Sequence, residues 1–128
     1  MIYLDTSVAL AVLLAEDRRP PDDLWQETVV SSRLLEFELW VRLHALGHAG
    51  SHGELARALL GRVALLELVE DILERARERF PIPVRTLDAL HLASIVFLND
   101  HGQHVTLATY DQRMLSAARA LNLPLAVL

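Results

Sequence analysis

Short apolar runs alternate with helical segments along nearly the whole chain, and that alternation restricts the fold more than any other feature of the sequence. Residues 2–4, 28–31, 63–69, 104–108 and 125–127 read as strands. The second of these is rich in β-branched residues. Between them lie helical patterns. Residues 6–15 are apolar on all sides, as in a central helix rather than a surface one. From Arg33 to about Leu46, Leu35, Leu39, Leu43 and Leu46 follow helical spacing. Further helices are expected near 54–60, over 70–80, 86–99 and 111–121. Residues 16–23, with consecutive prolines, read as a loop, and Gly47, Gly50 and Gly53 as a turn. Strands alternating with helices in a chain of 128 residues indicate one α/β domain, residues 1–128, built on a parallel sheet covered on both faces.

Composition narrows the function classes. Apolar residues make up 52% and charged residues 23%, the balance of a folded soluble chain. The absence of cysteine excludes disulfides, zinc–thiolate sites and thiol catalysis. The longest apolar run, residues 8–15, is short of the roughly 18 residues of a membrane span. An N-terminus with Asp5 and no basic stretch does not read as a secretion signal, so a cytoplasmic protein is expected. The formal charge is −5, and all twelve cationic side chains are arginine. Such a balance argues against passive nucleic-acid binding, but not against nucleic-acid processing in which metal ions neutralise clustered acids.

In open α/β sheets, ligands bind beyond the carboxyl ends of the strands. Asp5 and Asp111 fall where a strand gives way to a helix, Asp88 in the first turn of the long apolar helix, and Glu38 inside the helix after the second strand. Each of the three aspartates also has a capping or helix-dipole reading. Glu38 borders the Leu35, Leu39, Leu43 stripe and there needs a partner, for which Arg42 four residues on is available. Glu36 lies about 200° round the same helix, so only one of the two glutamates faces a common site.

At these residues the chain resembles the PIN domain, and within that family the VapC-type toxins of VapBC toxin–antitoxin pairs. The resemblance is carried by Ile2-Tyr3-Leu4-Asp5-Thr6-Ser7, by residues 31–39 (SSRLLEFEL), by Leu87-Asp88-Ala89-Leu90-His91-Leu92-Ala93 and by Leu107-Ala108-Thr109-Tyr110-Asp111, four segments in register over essentially the whole chain. It implies a three-layer α/β/α sandwich with a central, mainly parallel sheet. It also implies a metal-dependent ribonuclease whose acidic pocket falls on Asp5, Glu38, Asp88 and Asp111, with Glu36 the alternative alignment for Glu38. Thr109 matches a position whose hydroxyl supports the pocket, and Thr6 and Ser7 are candidates for the same duty. The implied cofactor is Mg²⁺ or Mn²⁺, hard ions that prefer carboxylate oxygens. Two such ions roughly 3.5–4 Å apart ready a water and stabilise the leaving oxygen of a phosphodiester. Cleavage of this type leaves a 5′-phosphate and a 3′-hydroxyl. The implied partners are a structured RNA substrate (transfer or ribosomal), a VapB-type antitoxin and a second copy of the chain. A PIN-type nuclease with a housekeeping role and a non-catalytic interaction domain are the competing readings.

Other features carry less. His44, His48 and His52 repeat at a zinc-compatible interval, but the intervening glycines argue against one continuous helix. His91 lies on the Asp88 face of its helix and is expected to be a hydrogen-bonded structural group. Arg18, Arg19, Arg85 and Arg113 lie near strand ends where phosphates would pass, and Arg113 is placed nearest a proposed ligand as a substrate-binding residue. Trp25, Phe37 and Trp40 are expected in the core, with Trp40 a candidate for partner contact.

Overall fold

A computed structural model describes residues 1–128. Its elements are β1 (Ile2–Leu4), α1 (Thr6–Leu13), a 3-10 turn (Asp22–Gln26), β2 (Val29–Ser32), α2 (Arg33–Ala45), α3 (Ala49–Leu60), β3 (Ala64–Leu66), α4 (Glu70–Arg77), α5 (Thr86–Asp100), β4 (Thr106–Ala108) and α6 (Gln112–Ala120). The four strands form one sheet in the order β3-β2-β1-β4, and every pairing is parallel. This is the expected α/β class.

Strand alternation divides the core into two layers. Ile2 and Leu4 of β1, Val29 of β2 and Ala108 of β4 pack with Val8, Leu35, Leu39, Leu43, Ala56 and Leu59 from α1, α2 and α3. Tyr3, Val30 and Leu107 point the other way, into Leu92, Ile95, Met114 and Ala117 of α5 and α6. Both faces of the sheet are therefore covered, which is why its strands are apolar at successive positions. No helix is long and apolar enough to cross a membrane.

The order of the strands fixes where a site can form. From β1 the chain moves outward through β2 to β3, then returns to lay β4 on the opposite side of β1. The order reverses between β1 and β4, and the carboxyl ends of these two strands flank the crevice where α/β sheets bind ligands. Asp5 leaves β1 there, and Thr109 to Asp111 leave β4.

Several boundaries differ from expectation. The segment before β2 carries the 3-10 turn rather than only loop. The helix expected near 54–60 begins at Ala49, with Gly50 and Gly53 inside it. Helix propensity disfavours this by about 1 kcal/mol per glycine. Packing overrides it, because Ala56 and Leu59 of the same helix are buried in the core. Residues 63–69 give only the edge strand Ala64–Leu66, and α4 stops at Arg77, short of Phe80. Residues 125–127 form a single parallel bridge, Leu107 to Leu125, rather than a strand. Pro124 has no N–H to extend the ladder, and Val127 is 93% exposed.

Candidate active site

Asp5 is held by the residues around it. It caps α1 from extended backbone, and its Oδ2 accepts from the Ser7 hydroxyl at 2.6 Å, the Thr109 hydroxyl at 2.7 Å and the Ser7 amide at 3.4 Å. All three donors converge on one oxygen, leaving Oδ1 available. The hydroxyls are themselves fixed: the Tyr110 amide donates to Ser7 Oγ at 2.9 Å and the Asp111 amide to Thr109 Oγ1 at 3.0 Å. Thus the loop after β4 is tied to the first turn of α1. Ser7 and Thr109 thus both donate to Asp5.

Glu38 is supported from the other side. Its Oε1 accepts from the Thr6 hydroxyl at 2.9 Å and pairs with His91 Nε2 at 2.5 Å. The expected partner, Arg42, is not used. His91 is itself buried, with Nδ1 2.7 Å from the Tyr3 hydroxyl. Burial pushes the Tyr3 hydroxyl well above the usual phenol range, so Tyr3 keeps its proton at neutral pH. One assignment satisfies both ends: Tyr3 donates to Nδ1, and the Nε2 proton goes to the Glu38 carboxylate. A polar chain therefore runs from the core through Tyr3, His91 and Glu38 to Thr6. Sequence reasoning placed His91 near the pocket but missed Tyr3, which reads only as an apolar strand residue. Glu36 points out to Arg33 across 3.5 Å and is 42% exposed in its side chain, so Glu38 is the glutamate that faces the site.

Asp88 and Asp111 complete the acidic set. Asp111 caps α6, its Oδ1 accepting from the Arg113 and Met114 amides at 2.8 and 3.4 Å. Asp88, in the first turn of α5, is not its cap. Arg85 joins the two: its Nε lies 2.9 Å from Asp88 Oδ2 and its Nη2 2.7 Å from Asp111 Oδ2. Burial pushes the Asp88 carboxyl above its usual range, Arg85 pulls it down without prevailing, and the Asp111 and Asp5 carboxylates push it up. Asp88 thus feels two aspartates from other stretches of chain. The arginine nearest the acids is Arg85, not Arg113. Arg113 meets Asp111 through its backbone amide, and its side chain lines an adjoining groove of about 460 Å³ with Arg85 and Asp88.

The donor set suits a hard divalent cation: carboxylate oxygens, three of them from aspartates, with hydroxyls fixing their orientation. Asp5 Oδ1 and Asp88 Oδ1 have no protein hydrogen-bond partner, and Glu38 Oε2 has none either. The acids do not form a closed cage as they stand, since no three His, Asp or Glu side chains are gathered tightly enough to hold an ion. One oxygen of Asp88 and one of Asp111 are taken by Arg85. The three histidines of the zinc-like interval are divided by a turn at Gly47 (φ +73°) between α2 and α3. Of the aromatics expected in the core, Trp25 and Trp40 are partly buried beneath Arg62 and Arg57, whereas Phe37 is 57% exposed.

This geometry can be set beside known proteins. The PIN domain model matches residues 2–120. Ribonuclease VapC47 of Mycobacterium tuberculosis is 31% identical, the match covering 95% of this chain and 93% of the relative. The crystal structure of M. tuberculosis VapC20, described as a sarcin–ricin loop cleaving toxin, superposes with a TM-score of 0.68 at 22% identity over 91% of this chain and 95% of that one. A toxin–antitoxin complex from Klebsiella pneumoniae gives 0.62 at 17% identity, covering 94% of each chain. Sheet order, acidic edge and relatives agree, and the chain belongs to the PIN domain family, in the branch that holds the VapC ribonucleases.

Proposed function

We propose that the protein is a metal-dependent endoribonuclease, the toxin of a type II toxin–antitoxin pair, acting as one domain on a structured RNA of the transfer or ribosomal class. The observation that carries this reading is the meeting of Asp5, Asp88 and Asp111, with Glu38 beside them, at the strand-order reversal of a chain related over 95% of its length to a VapC ribonuclease.

Asp5, Asp88, Asp111 and Glu38 are the residues that would hold Mg²⁺ or Mn²⁺. When bound, the ion supplies Lewis-acid activation of water and neutralises charge on the scissile phosphate. The chain's own contribution is orientation. Ser7 and Thr109 pin one oxygen of Asp5 and so fix the direction of the other. Thr6 and His91 do the same for Glu38. Arg113, lining the groove beside Asp88, is placed to meet a flanking phosphate. The products are a 5′-phosphate and a 3′-hydroxyl.

The partners proposed with this activity are a VapB-type antitoxin and a second copy of the chain, and the site of action is the cytoplasm. Likeness in fold to a chain of a toxin–antitoxin complex, together with kinship to a VapC ribonuclease, supports the antitoxin.

The test is incubation of the purified protein with total cellular RNA and Mg²⁺, Mn²⁺ or EDTA, with Asp5→Asn as control. Discrete metal-dependent cuts, absent from the variant, are expected. Cuts that persist in EDTA or in Asp5→Asn would overturn the assignment of the acids. Mn²⁺ binding without RNA cleavage would redirect the reading to a DNA substrate or a missing partner, and neither binding nor cleavage would return the acids to structural duty.

A further inference from the structure

We propose that Arg85 is a built-in competitor for the cation site: its guanidinium occupies the Asp88 and Asp111 carboxylates, a divalent cation must displace it, and the displaced side chain then turns into the adjoining groove to bind a substrate phosphate.

The case begins with shared atoms. Arg85 takes Oδ2 of Asp88 through Nε and Oδ2 of Asp111 through Nη2, at 2.9 and 2.7 Å. A cation held by those two carboxylates draws on the same charge and meets the guanidinium at close range, so the two occupants exclude each other. The arrangement is also one that only arginine makes, because its rigid fork reaches two separate acceptors from one side chain.

The surroundings suit a side chain that moves on a fixed base. Arg85 sits at the N-cap position of α5 in extended backbone (φ −76°, ψ 159°), and its own side chain makes no capping bond. Pro81 and Pro83 stiffen the segment that leads to it. Beyond the backbone the side chain is 53% exposed, held by the two carboxylates rather than by packing. On its open side lies the groove it shares with Asp88, Gln112, Arg113 and Ser116. That groove carries two guanidiniums beside an acidic edge, the pairing suited to a phosphate backbone that passes a carboxylate site. Arg85 thus neutralises the acids in one position and the RNA in the other.

This inference rests on the nuclease reading for its second half and on geometry alone for its first, and the experiment separates them. Mn²⁺ binding is measured by calorimetry for the parent, Arg85→Gln and Arg85→Lys, and cleavage of total RNA is followed for all three at saturating Mn²⁺. Arg85→Gln is expected to bind Mn²⁺ about fivefold tighter, the order expected when two partly exposed ion pairs no longer compete. Arg85→Lys, which keeps the charge but not the fork, should fall between. Despite its tighter metal binding, Arg85→Gln should cleave about tenfold more slowly, with partial rescue by lysine. Unchanged or weaker Mn²⁺ binding in Arg85→Gln overturns the competition. Tighter binding with undiminished cleavage overturns the phosphate role and leaves Arg85 a counter-ion. A parent that binds Mn²⁺ but cuts no RNA counts against the nuclease reading, and the calorimetry alone then upholds or overturns the competition.

Discussion

At Asp88, burial outweighs the help of an adjacent arginine, and this sets what happens when the charge is removed. Burial holds its folded pKa above the ordinary aspartate value of 3.8. Between those two values the folded chain holds more protons than the unfolded one, so stability falls as pH rises through that window. The cost is complete above the folded value and absent below the unfolded one. Asp88→Asn removes it, losing in exchange only a partly exposed ion pair of small worth. In EDTA near neutral pH the variant should melt at or above the parent's temperature, with the advantage vanishing as pH falls to about 4, while RNA cleavage is abolished. A clearly lower melting temperature would mean that the Asp88–Arg85 pair is structural. Tyr3 illustrates the opposite sign. Tyr3→Phe leaves His91 Nδ1 buried without a donor and loosens the group that orients Glu38. Urea unfolding should show a loss of about 1–3 kcal/mol, and cleavage should slow with no change in which RNA is cut. Unchanged stability would mean that His91 finds another partner. The Asp88 effect follows already from clustered like charges in the sequence, whereas the Tyr3 effect was not legible there, because an apolar strand residue and a helix histidine far apart in the chain give no sign that they touch.

Among the elements, two helices are capped by acids of the proposed site. Asp5 caps α1 and Asp111 caps α6, so the capping reading holds at these positions and the proposed metal role would use the same side chains. Substitution can separate the two roles at Asp5. Asparagine caps as well as aspartate, so Asp5→Asn should abolish cleavage while thermal unfolding stays close to that of the parent. Asp5→Ala should lose activity and about 1 kcal/mol more of stability. Equal stability of the two variants would show that the cap is idle. The elements best read from sequence were those whose periodicity is set by burial, as in α2, where Leu35, Leu39 and Leu43 are fully buried. The least well read was α3, where glycines signal a turn. Burial of Ala56 and Leu59 against the core holds the helix through its glycines, and nothing local announces that. The last apolar run failed for a related reason: its residues suit a strand, but Pro124 and an exposed end leave it one bridge long.

Over the whole molecule, the sheet order decides which distant acids become neighbours, and that is why the sequence offers a candidate set of residues but not their arrangement. The four segments of the resemblance named Asp5, Glu38, Asp88 and Asp111, whereas Arg85 between two of them depends on how α5 lies against α6, which no spacing encodes. A chain of net charge −5 that gathers aspartates at one edge of its sheet stores repulsion there. A cation that binds the folded site, and not the unfolded chain, relieves that repulsion and stabilises the fold by mass action. At a hundredfold excess over the dissociation constant the gain is about 2.7 kcal/mol, roughly 10 °C in melting temperature for a chain of this length. Differential scanning fluorimetry with Mn²⁺ should show that rise, EDTA should reverse it, and Asp5→Asn and Asp88→Asn should lose most of it. The metal-free baselines need not fall together, since the first substitution keeps a cap and the second removes a cost. A rise of equal size in both variants would place the bound ion elsewhere on the acidic surface and detach the four carboxylates from metal binding.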